Sequence, residues 1–246
     1  MKTVVDKGSL NQIASHYHLN TEITDKEFDK QFHHLCAEWV VGMLDPGSRV
    51  LEMGFGEGNI TSQLLKASMN VDIIEGAELL VRNARNIYGN RVNVHHVLFD
   101  EFEHLGEYDA ILATNILEHV AQPVDTLACI RKWCSPNTRV VITVPNAGSF
   151  HRRLAVLMGI QPKLDTLSPR DQLVGHMRVY EFDQLISEVS AAGFDVIDHK
   201  GFMMKVLPNS MMKSMSPDLV QAFYSIADQL DIRYLADMGI VIKIKT

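Results

Sequence analysis

Two carboxylates and a cluster of glycines are the residues of this chain whose types and spacing point to chemistry. Residues 50–59 read VLEMGFGEGN, an apolar stretch that carries Glu52 and runs into a glycine turn. A second apolar stretch, residues 71–75, ends in Glu75. Glycines let a backbone approach a ligand closely, and a carboxylate after the second strand accepts ribose hydroxyls. The pattern predicts a nucleoside cofactor lying across the first two strands of a parallel sheet.

The spacing of the glycines distinguishes between two classes of cofactor. The dinucleotide fingerprint is G-x-G-x-x-G, with the pyrophosphate at a helix N-terminus. This chain has Gly54, Gly56 and Gly58, and Asn59 occupies the third fingerprint position. Glu52, just before the turn, would repel a pyrophosphate but would attract an ammonium and a sulfonium group. The charges therefore favour S-adenosyl-L-methionine over NAD(P).

Three segments resemble class I S-adenosylmethionine-dependent methyltransferases. Residues 50–61 are similar to the first motif of that family, and residues 108–120 to its fourth strand and LEHV segment. Residues 135–146 resemble its fifth strand, although Asn137 and Thr138 replace the usual glycines of the preceding turn. The resemblance covers roughly residues 45–200. It is close to the small-molecule branch that includes ubiquinone-biosynthesis O-methyltransferases.

The elements around these motifs predict an α/β fold. The strands are near-continuous apolar runs, as expected when both faces of a sheet are covered. The expected fold is a doubly wound, seven-stranded Rossmann-like sheet, mostly parallel with an antiparallel closing strand and with helices on both faces. The predicted strands are residues 49–53, 70–75, 92–98, 110–114, 139–144, 194–199 and 240–244. The predicted helices are 26–43, 59–67, 77–88, 124–133, 150–158, 181–192 and 217–230.

The chain is expected to form a single methyltransferase domain, residues 1–246. Residues 1–45 would form a helical cap that either packs on the sheet or covers the cofactor as a lid. Residues 147–180 and 203–235 interrupt the alternation of strands and helices. The resemblance implies that such insertions form the wall of the acceptor site. The methionines of the second insertion are interpreted as core packing or as a soft wall for a lipophilic acceptor.

Specific residues are predicted to hold the cofactor. Glu52 and the glycine turn would bind its methionine end, and Glu75 its ribose. Asp100 would lie near the adenine amino group, with Glu101 as the adjacent alternative. Asn115 follows the fourth strand, where open parallel sheets bind ligands. The predicted cofactor residues are Glu52, Gly54, Phe55, Gly56, Gly58, Asn59, Glu75, Gly76, Asp100, Glu101 and Asn115.

Methyl transfer to an acceptor of high pKa needs a base, and histidine is the usual agent at neutral pH. His176 and His119 are the predicted catalytic residues. The alternatives are that His119 caps the next turn and that His176 is a surface-loop residue. An anion pocket for the acceptor could be built from arginines of residues 147–180, or these could form a solvated helix face. The predicted acceptor-binding residues are His151, Arg152, Arg178 and Tyr180.

Charge and composition indicate which partners, location and metal sites to expect. The net charge of −7 argues against nucleic acid as a partner. No apolar run approaches the ~18 residues of a membrane span, and the N-terminus has no signal-peptide core, so a cytoplasmic protein is expected. The 3 cysteines lack metal-ligand spacing, and no metal site is predicted.

The predicted reaction is an in-line displacement. A methyl group passes from S-adenosyl-L-methionine to an oxygen or nitrogen of a small-molecule acceptor, leaving S-adenosyl-L-homocysteine. The alternatives are an RNA or protein methyltransferase of the same fold, an NAD(P)-dependent oxidoreductase, and a noncatalytic protein that retains the cofactor fold.

Overall fold

A seven-stranded sheet organises the part of the chain that the structure describes. The structure is a computed structural model, and it describes residues 6–23, 26–103 and 106–245. The strand order is β3-β2-β1-β4-β5-β7-β6. The strands are β1 (Arg49–Met53), β2 (Asn70–Ile74), β3 (Val92–His95), β4 (Ala110–Thr114), β5 (Arg139–Pro145), β6 (Phe194–Phe202) and β7 (Asp237–Ile244).

One strand runs against the others. Strands β1 to β5 pair in parallel, whereas β7 pairs antiparallel with both β5 and β6. The strand order changes direction between the neighbours β1 and β4. Strands β2 and β3 follow on the side of β1, and strands β5, β7 and β6 follow on the side of β4. Open α/β sheets bind ligands at such a switch point, beyond the carboxyl ends of the strands. The predicted fold class is confirmed.

Helices cover both faces of the sheet. The first helices are α1 (Lys7–Ile13), α2 (Glu27–Val41), α3 (Asn59–Lys66), α4 (Glu78–Tyr88) and α5 (Pro123–Lys132). The later ones are α6 (Phe150–Leu157), α7 (Pro169–Leu173), α8 (Phe182–Ala191), α9 (Asn209–Met212) and α10 (Pro217–Ser225). No described helix has both the length and the apolar character needed to cross a membrane.

Successive side chains of each strand point to opposite faces of the sheet and pack into two separate hydrophobic cores. Leu51 and Ile111 pack on one face with apolar residues of α5 and α8. Val50 and Leu112 pack on the other face with residues of α2, α3 and α4. All four side chains are inaccessible to solvent. This two-residue period is the reason why the strands read as continuous apolar runs.

The predicted cap begins with α1, continues through a π-helical turn (Ala14–His18) and ends with α2. Its residues 1–5 and 24–25 lie outside the described residues, as does residue 246. The α2 side chain Phe32 packs edge-on against Phe202 of β6, with ring centroids 5.1 Å apart. Near the start of α2, Lys26 pairs with Glu57 of the glycine turn at 2.9 Å. The cap therefore connects the turn after the central strand β1 with the edge strand β6.

The two predicted insertions fold as short helices. Residues 147–180 contain α6 and α7 and return to the sheet where Tyr180 forms a parallel bridge with Asn146, just after β5. Residues 203–235 contain α9 and α10. In the second insertion Met203 and Met212 pack with Tyr224 in a small separate core. These methionines have the role of adaptable core packing.

Candidate active site

The glycine turn between β1 and α3 has a backbone that suits glycine. Gly54, Gly56 and Gly58 have φ angles of +76°, +54° and +74°, a region that L-residues rarely adopt. At Gly58 an added Cβ would also lie 2.7 Å from Cζ of Phe55. The Gly54 N–H donates to the carbonyl of Ile74 at 2.8 Å, which fixes the turn to the end of β2. The turn thus presents bare backbone at the ligand edge of the sheet.

Glu75 holds this turn in place from the neighbouring strand end. Its carboxylate accepts hydrogen bonds from the N–H of Phe55 at 2.9 Å and from the N–H of Ala77 at 2.7 Å. Only 6% of the residue is exposed. Burial raises the pKa of Glu75, while these backbone hydrogen bonds oppose the rise. Since each carboxylate oxygen accepts more than one hydrogen bond, the ribose contact predicted for Glu75 stays compatible with this arrangement.

Glu52 is a buried carboxyl group beneath the turn. The Thr61 hydroxyl donates to its Oε2 at 2.6 Å. Burial raises the pKa of Glu52 to about 8, and the Thr61 hydrogen bond only partly offsets that rise. The group is therefore mostly protonated at pH 7 in the free protein. A cation bound next to it would favour the ionised form.

Asn115 lies at the end of β4 and adopts a left-handed backbone, with φ at +53°. Its Oδ1 accepts a hydrogen bond from the Thr143 hydroxyl at 2.8 Å, and its N–H donates to the Thr143 carbonyl at 3.0 Å. Residues held in this region cluster at functional sites because the surrounding structure must stabilise the strain. The geometry places Asn115 at the switch point, where the sequence predicts a cofactor contact.

The other predicted cofactor residues lie around the same edge. Asp100 and Glu101 are exposed, and Glu101 accepts from the Leu98 N–H at 3.1 Å and pairs with Lys7 at 3.3 Å. A Cβ added to Gly76 would meet Leu10 of α1 at 2.6 Å, so this glycine makes room for the cap. Asn59 lies beside His33 of α2, with Nδ2 and Nδ1 3.4 Å apart.

The cap contacts the glycine turn from above. The His18 ring lies 3.8 Å from the position of a Cβ added to Gly56. The Lys26 ammonium donates to the carbonyls of Tyr17 and His18 at 2.5 and 2.9 Å, in addition to its ion pair with Glu57. These bonds tie the end of the π-helical turn to the glycine turn. The arrangement supports the lid interpretation of the cap.

The two predicted catalytic histidines lie side by side. The rings of His119 and His176 meet edge-on, with centroids 4.7 Å apart. Nδ1 of His176 lies 3.2 Å from Oδ1 of Asp171. Burial, and secondarily His176, lower the pKa of His119 to about 3, so this ring is neutral and weakly basic at pH 7. Of the two predicted bases, only His176 has a carboxylate close to its ring, although this contact lacks the geometry of a hydrogen bond.

Glu118 adds a third polar group to this pair. The residue is fully buried, and neither of its carboxylate oxygens has a hydrogen-bond partner in the described part of the protein. Burial raises its pKa well above the usual range. One ligand atom from each of Glu118, His119 and His176 lies within 4.8 Å of the others. This group could hold a divalent cation, whereas the cysteine spacing considered in the sequence gave no sign of a metal site.

The arginines of the predicted acceptor pocket are used by the protein itself. Arg152 donates to Asp171 at 2.6 Å and to the carbonyl of Thr166 at 2.8 Å. Arg178 donates to the carbonyls of Leu117 and Ala121 at 2.8 and 3.1 Å. The two guanidinium groups thus serve different internal partners, and the predicted anion pocket of Arg152 and Arg178 is not assembled. This is a correction to the sequence-based expectation.

Tyr180 and His151, the other two predicted acceptor residues, differ in their hydrogen-bond partners. Tyr180 is fully buried, and its hydroxyl donates to Glu188 at 3.1 Å, which is a structural role rather than an acceptor contact. His151 keeps Nδ1 buried without a hydrogen-bond partner among the described residues. Burial, and then Lys205, lower the pKa of His151 to about 2, so it is neutral at pH 7. Of the four predicted acceptor residues, only His151 retains an unused polar atom in the interior.

Three charged residues of this region, Glu118, Lys205 and Asp237, were not among the site residues predicted from the sequence. Glu118 stands inside the quoted LEHV segment, but its carboxyl group was given no role. Lys205 and Asp237 belong to no recognisable motif, and they lie near each other because β6 and β7 are neighbours. Asp237 precedes the predicted strand 240–244, and the structure extends that strand back to Asp237.

The fold and the site together define a class of protein. A doubly wound sheet, a glycine turn after β1 and a buried acid after β2 describe a Rossmann-like enzyme that binds a nucleoside cofactor. A family model described as a methyltransferase domain matches residues 28–199, and the chain belongs to that family. Membership confirms the predicted class, an S-adenosylmethionine-dependent methyltransferase.

Individual relatives agree with this assignment. A ubiquinone biosynthesis O-methyltransferase from Aromatoleum aromaticum is 26% identical over 194 residues, which cover 77% of this chain and 76% of the relative. The crystal structure of 1,6-didemethyltoxoflavin-N1-methyltransferase from Burkholderia thailandensis contains 1,6-didemethyltoxoflavin and S-adenosylhomocysteine. It has a TM-score of 0.61 at 16% identity and covers 96% of this chain and 87% of that one.

A third similarity supports the fold. Magnesium protoporphyrin IX methyltransferase from Synechocystis PCC 6803, with bound S-adenosylhomocysteine, has a TM-score of 0.59 at 14% identity. The match covers 96% of this chain and 92% of that chain. At this level of identity the two structural neighbours establish the shared architecture.

Proposed function

We propose that this protein transfers the methyl group of S-adenosylmethionine to an oxygen or nitrogen of a small-molecule acceptor. The observation that carries the proposal is the glycine turn fastened by Glu75 at the switch point of the sheet. The acceptor would enter between the cap, the insertion of residues 147–180 and the segment that follows β6. The domain boundaries predicted from the sequence belong to this proposal.

The residues present fit the cofactor. The positive φ angles of the glycine turn leave bare backbone where a Cβ would otherwise stand, and Glu75 lies beside it with unused lone pairs. Glu52 offers a carboxyl group next to the turn for the ammonium of the methionine end. Glu75 would bind the ribose and Asn115 would contact the cofactor from β4, while Asp100 and Glu101 are the proposed contacts of the adenine.

When bound, the cofactor supplies an electrophilic methyl group, so the task of the protein is largely to position the acceptor. The cap shields the turn from water through the Lys26–Glu57 pair. His176 would accept the proton of the acceptor at Nε2, with Oδ1 of Asp171 3.2 Å from its Nδ1 on the other side of the ring. Arg152 binds the other oxygen of Asp171 and keeps that carboxylate ionised and in place.

Three observations support a small-molecule acceptor. The relative from Aromatoleum aromaticum is named a ubiquinone biosynthesis O-methyltransferase, and ubiquinone is a small molecule. The candidate bases His119 and His176 are enclosed by the fold, which suits an acceptor that enters the cleft whole. The net charge of −7 disfavours RNA as the acceptor.

A thermal-shift comparison tests the cofactor part of the proposal. We expect S-adenosylhomocysteine and S-adenosylmethionine to stabilise the protein, by about 2.7 kcal/mol at a hundred times the dissociation constant. NADH and NADPH at the same concentrations should leave the melting temperature unchanged. Stabilisation by the nicotinamide cofactors alone would refute the proposal.

The acceptor class is tested with S-adenosylmethionine that carries a radiolabelled methyl group. We expect label in a panel of small phenols and amines, and none in bulk RNA or in denatured protein extract. Label that enters RNA or protein, with every small molecule unlabelled, would replace the small-molecule acceptor with a macromolecule. The cofactor assignment would stand in that case.

Glu52 gives a prediction about proton release. Because burial raises its pKa to about 8 in the free protein, binding of the cofactor ammonium should ionise it. At pH 7 we expect S-adenosylhomocysteine binding to release close to one proton. Titration calorimetry in buffers of different ionisation enthalpy measures this number directly.

The Glu52→Gln variant should bind more weakly and release no proton. Glu103→Gln removes an exposed carboxylate of the same size and serves as the matched control. Proton release that persists in Glu52→Gln would place the ammonium next to another group.

A further inference from the structure

The chain reverses sharply after β6 and directs Lys205 toward the start of β7. Met203, the first residue after β6, has a φ angle of +59°, which is rare for a side chain of this size. Its carbonyl accepts hydrogen bonds from the N–H of Ala236 at 2.9 Å and of Lys205 at 3.0 Å. Lys205 is thereby held next to Asp237, which pairs with Pro145 at the carboxyl end of β5. Both charged residues belong to the ligand edge of the sheet.

Lys205 and Asp237 carry opposite charges that the protein does not satisfy. Both side chains are surrounded by protein, yet each keeps part of its surface accessible, as residues that line a cleft do. In the described ranges, no hydrogen bond or ion pair within 4.0 Å reaches either side-chain group. The other charges of the region are paired: Arg152 with Asp171 at 2.6 Å, and Arg170 with Asp29 at 2.7 Å.

Such a pair is costly unless something binds to it. Withdrawing a charge from water without giving it a hydrogen-bonding partner destabilises the fold. Burial accordingly lowers the pKa of Lys205 and raises the pKa of Asp237 to about 7. Strain at Met203 adds to this cost, and strained backbone persists mainly where it serves a site. A ligand with complementary groups would remove the electrostatic part of the cost.

We propose that Lys205 and Asp237 recognise the methyl acceptor, with the Lys205 ammonium binding a carboxylate of the acceptor and Asp237 accepting a hydrogen bond from its hydroxyl or amine. The inference deepens the proposed function and rests on it. A monoanionic acceptor suits the site because there is one unpaired cation beside one unpaired carboxylate. A dianionic phosphate would be repelled by Asp237. Neutral His151, whose Nδ1 has no partner in the described residues, adds a hydrogen-bonding group without changing the charge.

The test compares two probes of nearly the same shape, the anionic 4-hydroxybenzoate and the neutral 4-hydroxybenzamide. Their affinities are measured by titration into the protein saturated with S-adenosylhomocysteine. We expect the native protein to bind the carboxylate at least about tenfold more tightly than the amide, the effect of one charged hydrogen bond. Lys205→Met should remove that preference, and Lys205→Arg should retain most of it. The affinity for S-adenosylhomocysteine should stay the same in both variants.

The controls separate recognition from structure. Lys205→Met removes an unsatisfied charge and keeps an unbranched apolar side chain, so the variant should melt no lower than the native protein. Asp237→Asn should weaken both probes about equally, because it changes the contact to their common hydroxyl group. Lys132→Gln removes an exposed lysine at the end of α5 and should change nothing.

Three results would overturn the inference. They are equal affinity for the two probes, no binding of the carboxylate, and a charge preference that survives in Lys205→Met. A lower melting temperature with unchanged selectivity would show that Lys205 is structural. Failure of the native protein to bind S-adenosylhomocysteine is a different outcome, since it refutes the proposed function itself.

Discussion

The Gly56→Arg variant is expected to lose binding of S-adenosylhomocysteine while keeping its fold. Gly56 is the middle glycine of the turn, and the space beside its Cα is open up to the His18 ring, 3.8 Å from an added Cβ. An arginine there would fill the gap between the turn and the cap and would add a positive charge where the cofactor carries its own. We expect affinity to fall at least a hundredfold, or about 2.7 kcal/mol.

The strain introduced by this substitution needs a control, because φ at Gly56 is +54°. Gly159, after α6, has a φ of +70° and nothing within 4 Å of an added Cβ. Gly56→Arg and Gly159→Arg should therefore lose similar stability, about 1–2 kcal/mol. Only the first should lose S-adenosylhomocysteine binding by calorimetry. Intact binding in Gly56→Arg would move the cofactor away from the turn.

Local chemistry in the sequence was sufficient to predict the class of cofactor and the glycine turn with its two flanking acids. The glycine turn, Glu52 and Glu75 are close in sequence to strands that read as apolar runs, and parallel strands bring their ends to one edge. The bounds of β1 and β4 were predicted to the residue. These elements depend on patterns of a few residues, which propensity and periodicity describe well.

The acceptor half depends on contacts between distant segments, and sequence reasoning failed there. Arg152 and Arg178 were predicted to share a pocket because both lie in one insertion. In the structure Arg152 binds Asp171 of α7, whereas Arg178 binds carbonyls of the turn after β4. Which donor meets which acceptor depends on tertiary packing, because an arginine reaches many partners and its charge must be paired when it is buried.

Lys205 and Asp237 were not predicted for the same reason, because their proximity also depends on tertiary packing. They are separated by 31 intervening residues that form the second insertion, and nothing local indicates that either is enclosed. Their proximity follows from the pairing of β6 with β7, in which Phe202 lies opposite Asp237. The two ends of a methionine-rich insertion thus bring one charged residue each to the same edge of the sheet.

His176→Ala is expected to give the second large effect, a loss of turnover with cofactor binding intact. A general base contributes roughly a hundredfold to ten-thousandfold to rate, so turnover of the acceptor found in the labelling screen should fall within that range. Asp171 keeps its ion pair with Arg152 in the variant, so no buried charge is left alone. The affinity for S-adenosylhomocysteine and the KM for the acceptor should change little.

The neighbouring histidine makes this test selective. His119 has a pKa of about 3, so it would be a poor substitute for the missing base at pH 7. His16→Ala, an exposed histidine of the cap, is the matched control and should keep full turnover. Asp171→Asn should reduce turnover less than His176→Ala, because the proton-accepting ring remains, and it should also lower the melting temperature, because it breaks the buried ion pair with Arg152.

A metal-binding role for His176 predicts a different set of results. If Glu118, His119 and His176 held a cation that activates the acceptor, a chelator would abolish turnover of the native protein and a divalent metal would restore it. If His176 is a general base, a chelator leaves the turnover of the native protein unchanged. Added imidazole then partly restores the turnover of His176→Ala, because it can occupy the cavity and accept the proton. Full turnover of His176→Ala would exclude both roles, because each of them requires the ring nitrogen that the substitution removes.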